Sequence, residues 1–232
     1  MNISFTPPKL PRSGVAILLI PEGARLTGIA AEADRRTGGH VGRAMTAAGF
    51  TGRRDTTLDI VAPGGGLSRI ILFGLGAPTA LRPLDLEMLG GAVAGVLQAV
   101  KAEAATLAAD VALASLSPAE AAALIASGVR LRVYGFTRYK SKKPDARPLR
   151  EVNLLTADAG GARRRFAALE AVAEGVHLAR DLVNEPPNIL HPVAFAARLK
   201  PLVKLGLKLT ILTPAQMKRL GMHSLLSVGN GS

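Results

Sequence analysis

Four histidines, seventeen carboxylates and no cysteine are the raw material for chemistry in this 232-residue chain. A helical zinc site needs two histidines one turn apart, because side chains at i and i+4 share a face. His40, His177, His191 and His223 contain no such pair, and no HExxH occurs. They read as surface or packing histidines. Asp181 and Glu185 do stand at i, i+4. Two carboxylates on one face make part of a cation site, but a hard cation wants about six to eight oxygen ligands. A local structural role is the preferred reading. No serine lies in G-x-S-x-G, and Ser232 is the last residue, so an acyl-enzyme has no support. The lack of cysteine removes disulfides, thiolate ligands and thiol nucleophiles together, and fits a reducing compartment. Residue types alone assign no catalytic residue and no metal ligand.

Two glycine clusters suggest phosphate binding. Gly64-Gly65-Gly66 and Gly74-Leu75-Gly76 each follow an apolar run, but a G-x-G-x-x-G would need glycine where Thr79 stands. No P-loop occurs either. Turn glycines are the preferred reading.

The charge is more telling. Of the net +12, residues 1–129 supply +1, residues 130–165 supply +8 and residues 166–232 supply +3. Local clusters mark binding faces better than a high overall pI does. This one centres on Arg138, Lys140, Lys142, Lys143 and Arg147, with Tyr134, Phe136 and Tyr139 close in sequence. Those five cations could hold nucleic-acid phosphates, with the aromatics as stacking surfaces. A solvated loop is the alternative and the preferred one.

The elements that must position these residues alternate. Val15–Ile20 is a continuous apolar run between turn signals and predicts a strand buried on both faces. Residues 26–49 predict a helix with glycine interruptions. Thr57–Ala62, Arg69–Phe73, Asp110–Ser115 and Glu151–Thr156 predict further strands. Leu86, Leu89, Val93, Val96 and Val100 recur at helical spacing, so a helix is expected over 84–103. Its Gly90, Gly91 and Gly95 each cost about 1 kcal/mol of propensity against Ala, which suggests close packing on a sheet. Ser117-Pro118-Ala119-Glu120 is a capping box with Pro at the first helical position. Residues 142–150, with Pro144 and Pro148, predict a loop. Phe166, Leu169, Val172, Val176, Ala179 and Val183 form one apolar stripe over 162–183, ended by Pro186. Beyond it, 192–205 predicts a helix, 208–212 a strand, and Thr213-Pro214-Ala215-Gln216 a capped helix stopped by Gly221. Leu225–Val228 reads as another strand.

The sum is an α/β layered domain. It has a mixed, mostly parallel sheet flanked by helices over 1–160, a connecting helix over 161–184, and an incomplete second α/β domain over 185–232. No apolar run reaches the ~18 residues that span a bilayer, and the N-terminus lacks a signal-peptide layout. A cytoplasmic protein that does not enter membranes is expected.

The segment Ala179-Arg180-Asp181-Leu182-Val183-Asn184-Glu185-Pro186-Pro187-Asn188 closely resembles the interdomain junction of the M17 leucyl, or cytosol, aminopeptidases. Pro192, Phe195, Leu220-Gly221-Met222, Leu225-Leu226 and Gly229-x-Gly231-Ser232 extend the likeness. Two departures stand out. His191 stands where a hydroxyl helix cap is usual, and Pro201 lies inside a predicted helix.

The resemblance implies a macro-domain-like N-terminal domain. A catalytic domain should follow, in which two divalent metals, Mn or Zn, activate water for hydrolysis of the N-terminal peptide bond. It implies peptides as substrates and a homo-hexamer as the assembly. The family's metal and catalytic motifs, NTDAEGRL and GKGxTFDTGG, do not occur in these 232 residues. The chain therefore reads as the N-terminal part of such an enzyme, without a metal cofactor of its own and inactive alone. A free-standing basic module for nucleic acid is the alternative.

Overall fold

A computed structural model describes residues 1–109, 116–141 and 148–230. The contacts divide the chain into two compact units, Met1–Leu178 and Ala179–Ser232.

The described residues of the first unit are built on one six-stranded sheet. Its strands are β1 (Asn2–Thr6), β2 (Gly14–Pro21), β3 (Thr57–Gly64), β4 (Leu67–Gly76), β5 (Ala104–Ala108) and β6 (Glu151–Leu155), in the order β1-β6-β5-β2-β4-β3. All pairs are parallel except β3 with β4. That exception is a hairpin turned by Gly64, Gly65 and Gly66, all at positive φ where a side chain would be strained. The mixed, mostly parallel sheet follows the sequence expectation.

Helices cover both faces. On one side α1 (Gly28–Arg36) and α2 (His40–Ala48) contribute Ala33 and Val41 to a core with Ala16, Leu18, Ile20, Ile70 and Leu72. On the other side α3 (Pro83–Ala99), α4 (Pro118–Arg132) and the start of α5 (Ala159–Asn184) pack on Ile17, Leu19, Ile71 and Phe73. Side chains alternate across a strand, so consecutive residues of β2 and β4 serve opposite cores. That is why Val15–Ile20 of β2 and Ile70–Phe73 of β4 are apolar without interruption.

Several expectations are corrected. The helix expected over 26–49 is two helices, split where Gly38 and Gly39 take positive φ. The helix expected over 84–103 ends at Ala99, because β5 must already begin at Ala104. β1 and β5 were not foreseen, and the strand expected at 110–115 lies outside the described residues. Gly90 lies against α4, not against the sheet: a Cβ on Gly90 would collide with the Ile125 carbonyl, and one on Gly128 with the Glu87 carbonyl. The two helices pack backbone to backbone, and the propensity cost gains that close approach.

The second unit contains the end of α5, then α6 (Pro192–Leu199), a 3-10 segment (Lys200–Leu205), α7 (Pro214–Arg219) and α8 (His223–Gly229). Pro201 does break the helix, and the residues after α6 tighten into 3-10 geometry. His191 caps α6 without a side-chain hydrogen bond. Thr213 and Gln216 form their capping box, and Gly221 at positive φ follows α7. The strands expected at 208–212 and 225–228 are absent: the first has no regular structure and the second lies in α8. A strand needs a neighbour to satisfy its backbone, and none is formed among the described residues of this unit. Residues 223–229 satisfy theirs locally as a helix.

Candidate functional site

The basic stretch is positioned by the segment after α4. Arg138 lies over the Phe136 ring, 5.8 Å from its centroid, at cation–π range. Phe136 and Tyr139 are 5.8 Å apart at an interplanar angle of 56°. A turn bond from the Lys140 amide to the Thr137 carbonyl, 3.1 Å, carries this cluster. Arg138 is therefore brought beside an aromatic ring, and Lys140 lies on the turn that follows. Lys142, Lys143 and Arg147 lie outside the described residues. Tyr134 is not part of this stack; its ring sits 5.3 Å from that of His177 on α5.

Asp181 lies in the last turn of α5 and Glu185 just after it. The Glu185 side chain is fully buried and accepts a hydrogen bond from Arg198 Nη2 at 3.2 Å. Its charge is matched within the protein. Among the described residues no group of three or more His, Asp or Glu side chains could hold a metal ion. The two metals that the sequence resemblance implies therefore do not fit a site built from the described residues.

Two clefts mark the carboxyl ends of the strands. One, of about 190 Å³, is lined by Ile20, Pro21, Arg25, Thr27, Gly28 and Ala108, among others. It lies where β2 and β5 are neighbours while α1 and α4 leave on opposite faces, the crevice that open α/β sheets use for ligands. Among the described residues Arg25 is its only ionisable lining residue. Gly28, at φ 51°, opens α1 there.

The other, of about 140 Å³, borders Arg54, Leu81, Asp85 and Met88. Asp85, nearly buried, receives Arg54 Nη2 at 2.7 Å, Arg82 Nε at 3.1 Å and the Arg82 amide at 2.9 Å. The hydrogen bond from Arg82, then that from Arg54, holds its carboxyl well below the usual carboxylate range. A carboxylate so neutralised is a poor base, and the cluster is a clasp between the loop carrying Arg54 and the start of α3. Sequence reasoning missed it. Arg82-Pro83-Leu84-Asp85 was a readable helix start, with Pro at the first position and an acid at the third; Arg54, from a distant loop, carried no local signal. Gly74 proves to be a strand glycine, since a Cβ there would meet the Arg53 carbonyl.

No described helix is long and apolar enough to cross a membrane.

Comparison with known proteins adds what the geometry lacks. Residues 15–143 match the model of the cytosol aminopeptidase family, N-terminal domain, and residues 177–232 that of the cytosol aminopeptidase family, catalytic domain. A probable cytosol aminopeptidase of Rhizobium etli (strain CIAT 652) is 44% identical over 236 residues, covering all of this chain and 47% of the relative. That of Chelativorans sp. (strain BNC1) is 41% identical, covering all of this chain and 46% of its own length. The chain thus spans about half the length of the curated relatives it matches. Among solved structures, a tomato leucine aminopeptidase mutant superposes with a TM-score of 0.82 at 24% identity, over 95% of this chain and 46% of that one. The bottromycin maturation enzyme BotP in complex with Mn gives 0.69 at 26% identity, over 91% of this chain and 40% of that one.

Proposed function

The chain belongs to the cytosol aminopeptidase family, and on that premise we propose that it is the N-terminal part of a leucyl aminopeptidase. The parent reaction is metal-dependent removal of N-terminal amino acids from peptides, with Mn or Zn as the divalent metals and the cytoplasm as its place. The observation that carries this reading is the order of the two family models along one chain, N-terminal domain first and catalytic domain from residue 177. We assign residues 1–160 to the N-terminal α/β domain, 161–184 to the connecting helix and 185–232 to the start of the catalytic domain. The role of the N-terminal layer is to shape access and assembly, with a homo-hexamer as the expected oligomer of the whole enzyme. No step of hydrolysis is assigned to any residue of this chain. Nucleic-acid contact through Arg138, Lys140, Lys142, Lys143 and Arg147 is the second reading, supported by the stacking of Arg138 on Phe136.

The test is direct. Purified chain with added Mn should leave a leucine amide substrate uncleaved. Metal-dependent turnover above a no-protein blank, surviving a second purification, would overturn the reading.

A further inference from the structure

The carboxyl edge of the sheet offers a larger opening than its first cleft. Beside the cleft of about 190 Å³ at the ends of β2 and β5 lies a second, of about 460 Å³, bordered by Gly42, Met45, Thr46 and Phe50, among others. The two adjoin, because Arg25 and Leu26 line both. The second alone is within the range of small-molecule sites, roughly 300–1,000 Å³. Its floor is apolar: Leu26, Met45 and Phe50 are half-buried and pack on the core that holds Ala33 and Val41. Its rim is cationic. Arg25 is exposed and, among the described residues, forms no ion pair or side-chain hydrogen bond. Among the described residues no carboxylate borders either cleft. Thr27 precedes α1 without a side-chain cap, which leaves its hydroxyl to a ligand. The walls are fixed. The Gly23 amide donates to the Thr51 carbonyl at 2.9 Å, and the Gly76 amide to the Gly52 carbonyl at 3.0 Å. A Cβ on Gly52 would collide with the Pro21 carbonyl, so only glycine, here at φ 81°, lets the segment that carries Phe50 lie against the end of β2.

We propose that these adjoining clefts are a binding site for a small organic phosphate with an aromatic body. The phosphate sits at Arg25, where the two clefts meet, and the body rests on Leu26, Met45 and Phe50. A guanidinium presents a planar fork of donors that matches two phosphate oxygens, and the Thr27 hydroxyl adds a further donor. The floor gains most from a flat apolar group that covers it, above all at the Phe50 ring. The charge balance argues against free amino acids and peptides, which a peptidase domain would suggest first. Their ammonium group needs an acid or several acceptors when it leaves water, and no carboxylate borders the clefts among the described residues. A doubly charged phosphate gains more from an uncompensated cation than a zwitterion does. The fixed walls lower the ordering cost of binding. This inference goes beyond the functional reading above and does not depend on it.

The test is isothermal titration of the 232-residue chain at about 150 mM salt with naphthyl phosphate, naphthol, inorganic phosphate and leucine. Saturable one-to-one binding of naphthyl phosphate is expected, with naphthol and inorganic phosphate each weaker by about tenfold or more, and no binding of leucine. Arg25→Gln, at an exposed position, should weaken naphthyl phosphate about tenfold and leave naphthol as it was, and Arg25→Lys should restore part of the loss. Phe50→Leu keeps the floor apolar while removing the ring, and should cost about threefold. Arg138→Gln, in the basic stretch, should change nothing. Amide hydrogen exchange supplies a second readout: naphthyl phosphate should slow it over residues 23–30 and 45–51. Absence of saturable binding, equal affinity in the parent and Arg25→Gln, leucine binding as tightly as naphthyl phosphate, or protection confined to other segments would each overturn the proposal. Leucine amide cleavage bears on the functional reading alone.

Discussion

The buried Glu185 carboxylate and the Arg198 guanidinium lie 3.2 Å apart and join the residue after α5 to the body of α6. Pro186 and Pro187 stand between the two helices, where chain direction changes without amides to donate. The ion pair supplies the restraint that those prolines cannot. A buried charge is tolerable only when it is matched, so the pairing settles what Glu185 does: it orders a turn.

Arg198→Ala should therefore loosen the second unit. Loss of a charged hydrogen-bond partner from a buried group costs on the order of 1–3 kcal/mol, reduced here because Arg198 is itself 40% exposed. Proteolysis within 185–232 should speed up several-fold, while cleavage within 1–160 stays as it was. Arg198→Lys should restore part of the protection. Equal cleavage of all three proteins would show that the pair does not hold the turn.

Two glycines that look alike in sequence should respond in opposite directions. Gly128→Ala drives a methyl into the Glu87 carbonyl of α3 and forces the helices apart. Overpacking of this kind costs about 1–3 kcal/mol, so the melting temperature should fall by several degrees. Gly91→Ala meets only ordinary contacts near 3.9 Å and removes a weak helix former. It should gain up to about 1 kcal/mol. Thermal denaturation of the two variants decides the matter, and destabilisation by Gly91→Ala would contradict the geometry.

This contrast also shows what could be read from the sequence. The strands β2, β4 and β6, the α3 stripe and both capping boxes were legible, because periodicity and caps are local signals. β5 was not, because Ala104-Ala105-Thr106-Leu107-Ala108 carries little strand propensity and is a strand only through its neighbours β2 and β6. The glycines of α3 announced a close approach but not its partner, since α4 is some forty residues on and was chosen by tertiary packing. The same limit hid Arg54 from Asp85. In the tail the failure ran the other way. Residues 208–212 and 225–228 have the composition of strands, and composition cannot supply the pairing partner.

The Asp85 cluster makes acid stability testable. Its carboxyl is held low in the folded state by Arg82 first and Arg54 second. A lowered folded pKa means that the unfolded chain binds the proton more readily. The stabilisation is thus fully present above the unfolded carboxylate value, about pH 4, and is lost as pH falls below it. Asp85→Asn keeps the shape and removes the charge. The variant should melt lower than the parent at pH 7, and its melting temperature should fall less between about pH 5 and pH 3. Some acid dependence should persist, because hydrogen bonds from Ser117 also hold Glu120 low. Parallel pH profiles for parent and variant would show that Asp85 does not contribute.

The basic stretch gives the last prediction. Arg138 is already engaged with Phe136, and Lys140 sits on a turn beside it. If Arg138, Lys140, Lys142, Lys143 and Arg147 form a solvated loop, duplex DNA should show no binding at physiological salt. Should all five cations reach phosphates, counterion release sets a slope of log K against log salt of about −4 to −5. Replacing Lys140, Lys142 and Lys143 with alanine would then flatten that slope by about 2–3. Fluorescence anisotropy at two salt levels separates the cases. The expected result is no binding by either protein at about 150 mM salt, with weak, sequence-independent binding only when salt is lowered. Submicromolar affinity at that salt, abolished in the triple variant, would make this stretch a nucleic-acid contact and raise the second reading above the first.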